Sequence, residues 1–315
     1  MNALTAKTGL LQRLLAGPIA FVSAPASPRP LGLLRIGVCT VLLIQALAIA
    51  GSVNDLFGRG GFMQWALGEA MIVSGMPRIR WLVEYVEPFG ISEVHCVQGV
   101  FILYVTALSA LLLGWHSRVS TAVAWVTHMI LFMSNRGSVY GVDDFAHIAL
   151  FYFLWFPVGS WGSLDVAAGR ASSDPSALAR LALRVLQLHL CIMYTSSGLE
   201  KMSTPPYQWL DGDVIWRTCM LPEYRQFELS WIADYPWLAI AAAWGTLVLE
   251  IGYGVMVWPR ATRRFWAVNV ICMHLGIAIF MGLVSFAAMM IVLTTSAFLV
   301  SAEPAVSKSD GAKTN

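Results

Sequence analysis

The sequence predicts an all-α membrane protein, a single polytopic bundle of about eight transmembrane helices. Of the 315 residues, 57% are hydrophobic and 12% are charged, whereas charged residues make up about a quarter of a typical soluble domain. The apolar residues fall into segments that each approach the ~20 residues a helix needs to cross a bilayer. Tryptophans lie at the ends of several segments, as in the aromatic belts of membrane proteins; they are Trp115, Trp161, Trp237, Trp258 and Trp266.

The chain divides into an N-terminal segment, a transmembrane domain and a tail. Residues 1–30 carry a short apolar run broken by prolines, which favours a helix lying in the membrane interface over a weak signal peptide. Residues 31–302 are the predicted transmembrane domain, and residues 303–315 a disordered tail. The predicted spans are 31–51, 93–114, 118–135, 143–161, 178–200, 235–258, 264–283 and 285–302. The last two are nearly contiguous and predict a tight helical hairpin.

Basic residues predict the orientation of the bundle. The segments rich in Lys and Arg fall on one side of the predicted topology, and the positive-inside rule makes that side cytoplasmic. Both termini are then cytoplasmic, and the long loops 52–92 and 201–234 cap the opposite mouth; the first of them is expected to contain a short interfacial helix. The net charge is +2, and no basic patch is interleaved with aromatics, so the sequence does not predict nucleic-acid binding.

Cysteine and histidine spacing predicts no metal site. The five Cys include no C-x-x-C pair, and the six His include no H-x-x-x-H pair. Three of the cysteines lie inside predicted spans and are expected to be small core residues. Cys96 and Cys219 both fall near the predicted outer surface, where a disulfide can form, and the sequence leaves open whether they pair.

A polar stripe follows one side of the predicted span 178–200. Its polar residues recur every seven positions, or two helical turns, and therefore share a face; they are Arg180, Gln187, Tyr194 and Lys201. Cys191 and Gly198 lie on the same face, whereas the rest of the helix surface is aliphatic. A polar group costs free energy in hydrocarbon unless it meets protein or water. The stripe is therefore expected to face a cavity or a partner network inside the bundle.

Lys201, at the end of this stripe, has two interpretations. A lysine at the end of a span can extend its ammonium group to the interface. The stripe beneath it and the aromatic loop after it, which contains Trp209, instead favour an amine covered by protein. Burial favours the neutral form of an amine and so makes it available as a base.

Several ionisable residues inside the spans are further candidates, because such residues are costly in a membrane. Glu250 lies past the middle of the sixth span and is expected either to contact a ligand or to pair with another helix, for example through Arg35 or His274. His274 lies mid-span and is expected to be neutral, as a packing residue or a substrate contact. His128 and His189 are more simply explained as core histidines.

The start of the fourth span, SVYGVDDFAHIALFYF, holds another polar group. Asp143 and His147 are four residues apart and share a helix face, so the carboxylate can orient the imidazole ring. The alternative for Asp143 is an N-terminal helix cap, where an acidic residue also interacts favourably with the helix dipole.

Four segments resemble the vitamin K-dependent gamma-carboxylase superfamily, a group also called horizontally transferred transmembrane (HTTM) domains. The first is PRPLGLLRIGVCTVLL, with Arg35, and the second is YGVDDFAHIALFYFLWFPVGSWGSLDV. The third, QLHLCIMYTSSGLEKM, is followed by W-x-D-G from Trp209, and the fourth is MHLGIAIFMGLVSFAAMMIV, with His274. Their order and spacing extend the resemblance over nearly the whole chain, from about residue 28 to 300.

The resemblance implies chemistry on a lipid hydroquinone in the membrane. In the carboxylases, a Tyr-x-x-x-Gly-x-x-Lys segment ends in a lysine that deprotonates reduced vitamin K and starts its oxygenation; Lys201 matches that lysine. The implied catalytic residues are Lys201, Tyr194 and His274. The implied quinone-binding residues are Gln187, Cys191, Gly198, Asp143, His147, Glu250 and Trp209. Reduced vitamin K of the menaquinol type is the implied cofactor, with membrane lipid and lipid quinone as partners.

The chain also departs from the carboxylases. Glu200 stands where a second lysine is common, and the large lumenal domain that follows the membrane region in eukaryotic carboxylases has no counterpart, so glutamate carboxylation is not expected. The alternative function is that of a non-enzymatic HTTM protein that helps a secreted peptide to mature or leave the cell. A transporter is disfavoured, because no paired broken helices are visible. The expected location of such a compact member of the superfamily is the bacterial plasma membrane.

Overall fold

The computed structural model describes residues 16–70, 75–133, 137, 139–205 and 207–303, and in these residues the chain is helical with no named strand. Residues 16–23 form helix α1. The remaining helices are α2 (Arg29–Ile49), α3 (Val53–Phe57), α4 (Trp65–Ala70), α5 (Ile79–Val86), α6 (Glu93–Leu113), α7 (Ser117–His128), α8 (Gly141–Trp155), α9 (Leu164–Ala167), α10 (Ala177–Ser203), α11 (Asp213–Met220), α12 (Pro236–Met256), α13 (Arg260–Met281) and α14 (Val284–Thr294).

Five helical segments among the described residues are long and apolar enough to cross a membrane, so the expectation of about eight spans is not confirmed. They are Arg29–Phe57, Glu93–Leu113, Ala177–Ser203, Pro236–Met256 and Arg260–Met281. Shorter helices lie at the three other predicted spans: α7, α8 and α14. α7 and α14 each continue into a short π-helical turn. The predicted hairpin of the last two spans is present, because α13 and α14 are joined across Gly282 and Leu283.

The two predicted long loops contain helices of their own. The loop after α2 contains α3, α4 and α5, which agrees with the expected short helix there. The loop after α10 contains α11, whose start is packed directly on α12. Gly212 has a left-handed backbone (φ 79°), and a Cβ atom there would lie 2.6 Å from the backbone nitrogen of Ile240. Glycine is therefore required at this crossing, because it alone combines that conformation with so close an approach.

Arg35 is fully buried and ties α2 to the segment after α8. Its guanidinium donates hydrogen bonds to the carbonyl oxygens of Val158 (3.2 Å) and Gly162 (2.5 Å). A Cβ atom at Gly114 would lie 2.2 Å from Arg35 Nη1, so the turn between α6 and α7 closes over the guanidinium. Arg35 thus has a packing role, and the suggested pairing of Arg35 with Glu250 is wrong.

Asp165, in α9, fixes the start of α7. Its carboxylate accepts hydrogen bonds from the Ser117 backbone (2.8 Å) and hydroxyl (2.6 Å), the His116 backbone (3.0 Å) and Arg170 Nε (2.9 Å). Burial alone acts to raise the pKa of Asp165, but the hydrogen bonds from Ser117, Arg170 and His116 outweigh it and lower the pKa to about 2. The carboxylate therefore stabilises this turn in its ionised form.

The first and last described segments of the chain contact α10 and each other. Arg184 Nε donates to the carbonyl of Phe21 in α1 at 3.0 Å, and the backbone nitrogen of Ser27 donates to Ala302 at 2.9 Å. Residues 1–15 of the predicted interfacial segment and residues 304–315 of the predicted tail lie outside the described residues. Cys96 and Cys219 are both free thiols, so the disulfide left open above is not formed.

Candidate functional site

An ion pair joins α10 to α12. Lys201 Nζ donates to both carboxylate oxygens of Glu250, at 2.5 and 2.6 Å. The side chains are 24% and 8% exposed, respectively, so both charges are largely removed from solvent. A bidentate charge-assisted contact of this kind is among the strong hydrogen-bonded interactions in proteins, and it offsets the cost of burying either charge alone.

Two glycines at the crossing of α10 and α12 bring the pair together. A Cβ atom at Gly198 would lie 2.8 Å from Ile251 Cγ1 and 3.0 Å from Glu250 Cβ, and one at Gly254 would lie 2.5 Å from Thr195 Oγ1. Small residues allow close backbone approach between membrane helices. Gly198, one of the residues implied in quinone binding, therefore acts in the packing that sets Lys201 opposite Glu250.

The depth of the pair argues against the interfacial interpretation of Lys201. α12 begins at Pro236, so Glu250 lies 250 − 236 = 14 residues into the helix, about 21 Å at the rise of an α-helix. Lys201 reaches Glu250 at this depth, although it lies in the last turn of its own helix. Trp209, in the loop after α10, covers the amine, with its ring centroid 4.9 Å from Nζ. A cation over an indole face is stabilised by the ring quadrupole.

A second polar contact lies deeper along the stripe. The Tyr194 hydroxyl and His274 Nε2 are 2.8 Å apart and buried, and the Tyr253 ring packs on Tyr194 with centroids 4.4 Å apart. His274 is 3% exposed, and its Nδ1 has no hydrogen-bond partner. Phe286 of α14 contacts the imidazole edge-on at 5.6 Å. His274 is thus bonded to Tyr194, so its suggested pairing with Glu250 is also wrong.

Both contacts line one large cavity. It has a volume of about 890 Å³, and its walls come from α10, α11, α12, α13 and α14, from the loop segments on either side of α11, and from Phe145 of α8. Five residues singled out from the sequence lie on its walls: Tyr194, Lys201, Trp209, Glu250 and His274. The remaining lining is mostly aliphatic and aromatic, and Lys201 and Glu250 are the charged side chains among the described lining residues. Pockets for small molecules typically have volumes of about 300–1,000 Å³ and mostly apolar walls with a few polar groups.

The other stripe residues face protein rather than the cavity. Gln187 is buried and donates to the carbonyl of Ala297 at 2.6 Å, and its side-chain oxygen accepts from Arg184 at 2.8 Å. Cys191 is buried in the core beside it. At the far end of the helix, Arg180 donates to the carbonyl of Ala24 at 2.8 Å. The stripe therefore faces inward, but only its last two turns reach the cavity.

Asp143 and His147 lie in a separate part of the bundle. Asp143 accepts from the Tyr140 backbone at 3.1 Å at the start of α8, and from Gln45 Nε2 at 2.8 Å, as expected of a helix cap. His147 stacks on Trp125 and on His128, with ring centroids 5.3 and 5.7 Å away. Neither residue lines the large cavity, so the structure does not bring this group to Lys201.

Sequence reasoning missed part of the cavity wall. Ser197, one turn before Lys201, faces the cavity, and so does Asn269 of α13. The sequence offered a signal for Ser197, because it lies four positions before Lys201 and therefore on the same helix face. Asn269 gave no such signal, because its helix carries no regular polar stripe. Among the described residues, no three His, Cys, Asp or Glu side chains lie close enough to hold a metal ion.

Comparison with known proteins identifies the chain by family. The HTTM domain model matches residues 25–301. A curated relative, "Uncharacterized protein YitO" of Bacillus subtilis (strain 168), is 22% identical over 199 residues, which are 59% of this chain and 62% of YitO. The chain thus matches less than two thirds of that relative's length. No solved structure matches the chain.

Proposed function

Because the chain belongs to the HTTM domain family over nearly its whole length, we propose that it is a membrane enzyme that binds a lipid hydroquinone and removes a hydroxyl proton from it. The proposed ligand is reduced vitamin K of the menaquinol type. The observation that carries this proposal is the Lys201–Glu250 pair on the wall of a large apolar cavity. Bound there, a reduced quinone supplies a ring hydroxyl that, once deprotonated, allows the ring to react with molecular oxygen.

The cavity fits such a ligand in size and polarity. About 890 Å³ can hold an aromatic bicycle and part of an apolar chain, and the walls offer aromatic and aliphatic contacts. A quinol also needs polar partners for its hydroxyl groups. Lys201, Ser197 and the buried Tyr194–His274 contact lie along the same wall, and His274 Nδ1 is a polar atom without a partner.

The ion pair can accept one proton as a unit. Lys201 passes a proton to Glu250 along their 2.5 Å contact, and the amine so freed takes the proton of a hydroxyl placed beside it. The electron pair of the broken O–H bond stays on oxygen. At the end, Glu250 is a neutral acid and Lys201 an ammonium, so the pair has changed from net zero to net +1. The Trp209 ring and the apolar cavity then keep this positive charge close to the developing negative charge.

This assignment refines the role of Lys201. Lys201 remains the group that touches the substrate, as the resemblance implies, and Glu250 becomes the group that receives the proton of the ammonium. Without Glu250, the Lys201 ammonium must release a proton to bulk water before it can accept one, and without Lys201 the site lacks the group that touches the substrate hydroxyl. In the orientation predicted from the basic residues, the loop after α10 shields this step from the outer side.

The test is epoxide formation from reduced vitamin K and oxygen by purified protein in lipid nanodiscs. The expected result is product from the wild type, and loss of product in Lys201→Met and in Glu250→Gln. Arg217→Met is the matched control, since it removes a cation from an exposed ion pair on α11 that does not line the cavity. Equal background from wild type and Lys201→Met would overturn the proposal and leave the second candidate, a maturation or export role for a secreted peptide.

A further inference from the structure

α12 and α13 touch at one end and separate towards the other. At the closed end, Trp266 Nε1 donates to the carbonyl of Leu249 at 2.9 Å, and a Cβ atom at Gly252 would lie 2.3 Å from the Trp266 ring. Farther along, a Cβ atom at Gly245 of α12 or at Gly276 of α13 would meet nothing within 4 Å. The two helices therefore enclose a gap that widens away from Trp266.

Exposed residues of the cavity wall lie at this gap. Ala242, Gly245 and Cys272 line the cavity and are also exposed. In the most apolar windows of α12 and α13, 28% and 22% of residues are buried, against 39%, 44% and 44% in the other three candidate spans. These two helices thus bury the smallest share of their residues among the five candidate spans, and in a membrane the residues on the outside of the bundle face lipid chains.

The gap presents apolar surface along its length. Its two polar side chains bond back to their own helices: Thr246 donates to the carbonyl of Ala242 at 2.9 Å, and Asn269 Nδ2 donates to that of Phe265 at 2.8 Å. The charged groups of the cavity, Lys201 and Glu250, lie at the inner end. A molecule that fills both regions must have a polar head and a long apolar chain.

The loop after α10 closes the route on the other side. Phe227 of this loop packs edge-on against Phe280 of α13, with ring centroids 6.0 Å apart. At its other end, Trp244 of α12 donates from Nε1 to the carbonyl of Leu210 at 3.1 Å. The loop is thus fastened to both α12 and α13 beside the cavity.

We propose that the gap between α12 and α13 holds the apolar chain of a single-chain amphiphile, isoprenoid or acyl, which enters the cavity sideways from the bilayer. Its polar head lies at Lys201 and Glu250, and its tail passes between Gly245 and Gly276 into the surrounding lipid. The placement of the head rests on the proposed function. The placement of the tail rests only on the shape and the lining of the gap.

The test uses hexadecanol with a diazirine on its terminal carbon, photolysed with the full-length protein in nanodiscs and mapped by peptide mass spectrometry. Labelling of α12 and α13 peptides should saturate and should be competed by unlabelled hexadecanol. Labelling of α6, whose Gly99 also faces open space, should rise linearly with the probe concentration and should not saturate. Gly245→Trp should abolish the saturable labelling, whereas the matched variant Gly99→Trp should keep it.

Two further variants separate this proposal from the enzymatic one. Lys201→Met should keep the saturable tail labelling although it is expected to make no epoxide. Saturable labelling of a wild type that itself makes no epoxide would support the gap and refute the quinol oxygenase. If Gly245→Trp unfolds at a lower temperature than the wild type, Gly276→Leu replaces it as the blocking variant. Non-saturable labelling of α12 and α13, equal to that of α6, would overturn the proposal, as would saturable labelling that survives both blocking variants.

Discussion

Breaking the Lys201–Glu250 pair should destabilise the fold, whatever the protein does. Glu250→Gln removes the carboxylate charge from an ammonium held 2.5 Å away on an apolar wall. Two unit charges at that distance interact by about 6–7 kcal/mol at an effective dielectric constant of 20, and desolvation of both groups offsets much of this. Removing one member of a buried pair usually costs about 3–5 kcal/mol. Because Lys201 is 24% exposed and keeps its Trp209 contact, we expect Glu250→Gln to lower the free energy of unfolding by about 3 kcal/mol, the lower end of this range.

A double-mutant cycle isolates this interaction. Glu250→Gln, Lys201→Met and the double variant are compared with the wild type by reversible unfolding in mixed micelles. The double variant should be closer to the wild type than the sum of the single variants predicts, with a coupling of about 2–3 kcal/mol. The matched control is Arg217 with Asp213, an exposed pair on α11, for which a coupling of about 0.2–1 kcal/mol is typical. Additive effects of Lys201 and Glu250 would refute the argued burial of the pair.

Three further predictions concern other parts of the fold. Gly198→Ala should lower stability by about 1–3 kcal/mol, because the new Cβ meets α12; Gly99→Ala, in open space, should leave stability unchanged or slightly raised in the same unfolding assay. Asp165 has a folded-state pKa of about 2, below the ordinary 3.8. Its ionised carboxylate therefore adds about 2 kcal/mol to the free energy of unfolding above pH 4, and this stabilisation is lost as the pH falls towards 2. Asp165→Asn should flatten this part of a curve of stability against pH. A maleimide dye should label exposed Cys272 in micelles much faster than buried Cys39, as followed by mass spectrometry.

Each of these has a clear contrary result. Equal stability of Gly198→Ala and Gly99→Ala would mean that α10 and α12 are not in backbone contact at this point. An unchanged stability–pH curve in Asp165→Asn would mean that the carboxylate is not bound by Ser117 and Arg170 in solution. Rapid labelling of Cys39 would place the core of α2 on the surface.

The sequence predicted the inward face of α10 because a seven-residue repeat on a helix defines a face without any tertiary information. The structure buries Gln187, Tyr194 and Gly198 on that face. The partner of Glu250 could not be predicted in the same way. Lys201 is 49 residues away along the chain, and the sequence of the loop between α10 and α12 does not determine how far one helix is shifted along the other. Charge and hydropathy therefore identified the residues, whereas the contact itself depends on where two helices cross.

The number of spans shows a similar limit. Hydropathy marked α7, α8 and α14 as apolar, and each of them forms a helix. It could not foresee where these helices end, because the ends are set by tertiary contacts. α7 begins where the backbone nitrogen of Ser117 donates to the Asp165 carboxylate. α8 begins where the backbone nitrogen of Tyr140 donates to the Asp143 carboxylate. Both carboxylates lie far in sequence from at least one of their partners.

Glycine has opposite effects on the two sides of α12, and this difference gives the cavity its shape. Towards α10, Gly254 and Gly198 let the backbones approach until a single Cβ would clash, so that side is sealed and holds the ion pair at a fixed depth. Towards α13, Gly252 packs against Trp266 at one end, whereas a Cβ atom at Gly245 or Gly276 would meet nothing within 4 Å, so open space is left at the other end. On the proposed route, a helix sealed against α10 and separated from α13 at one end would let a membrane-soluble molecule reach a buried pair of charges without exposing those charges to lipid.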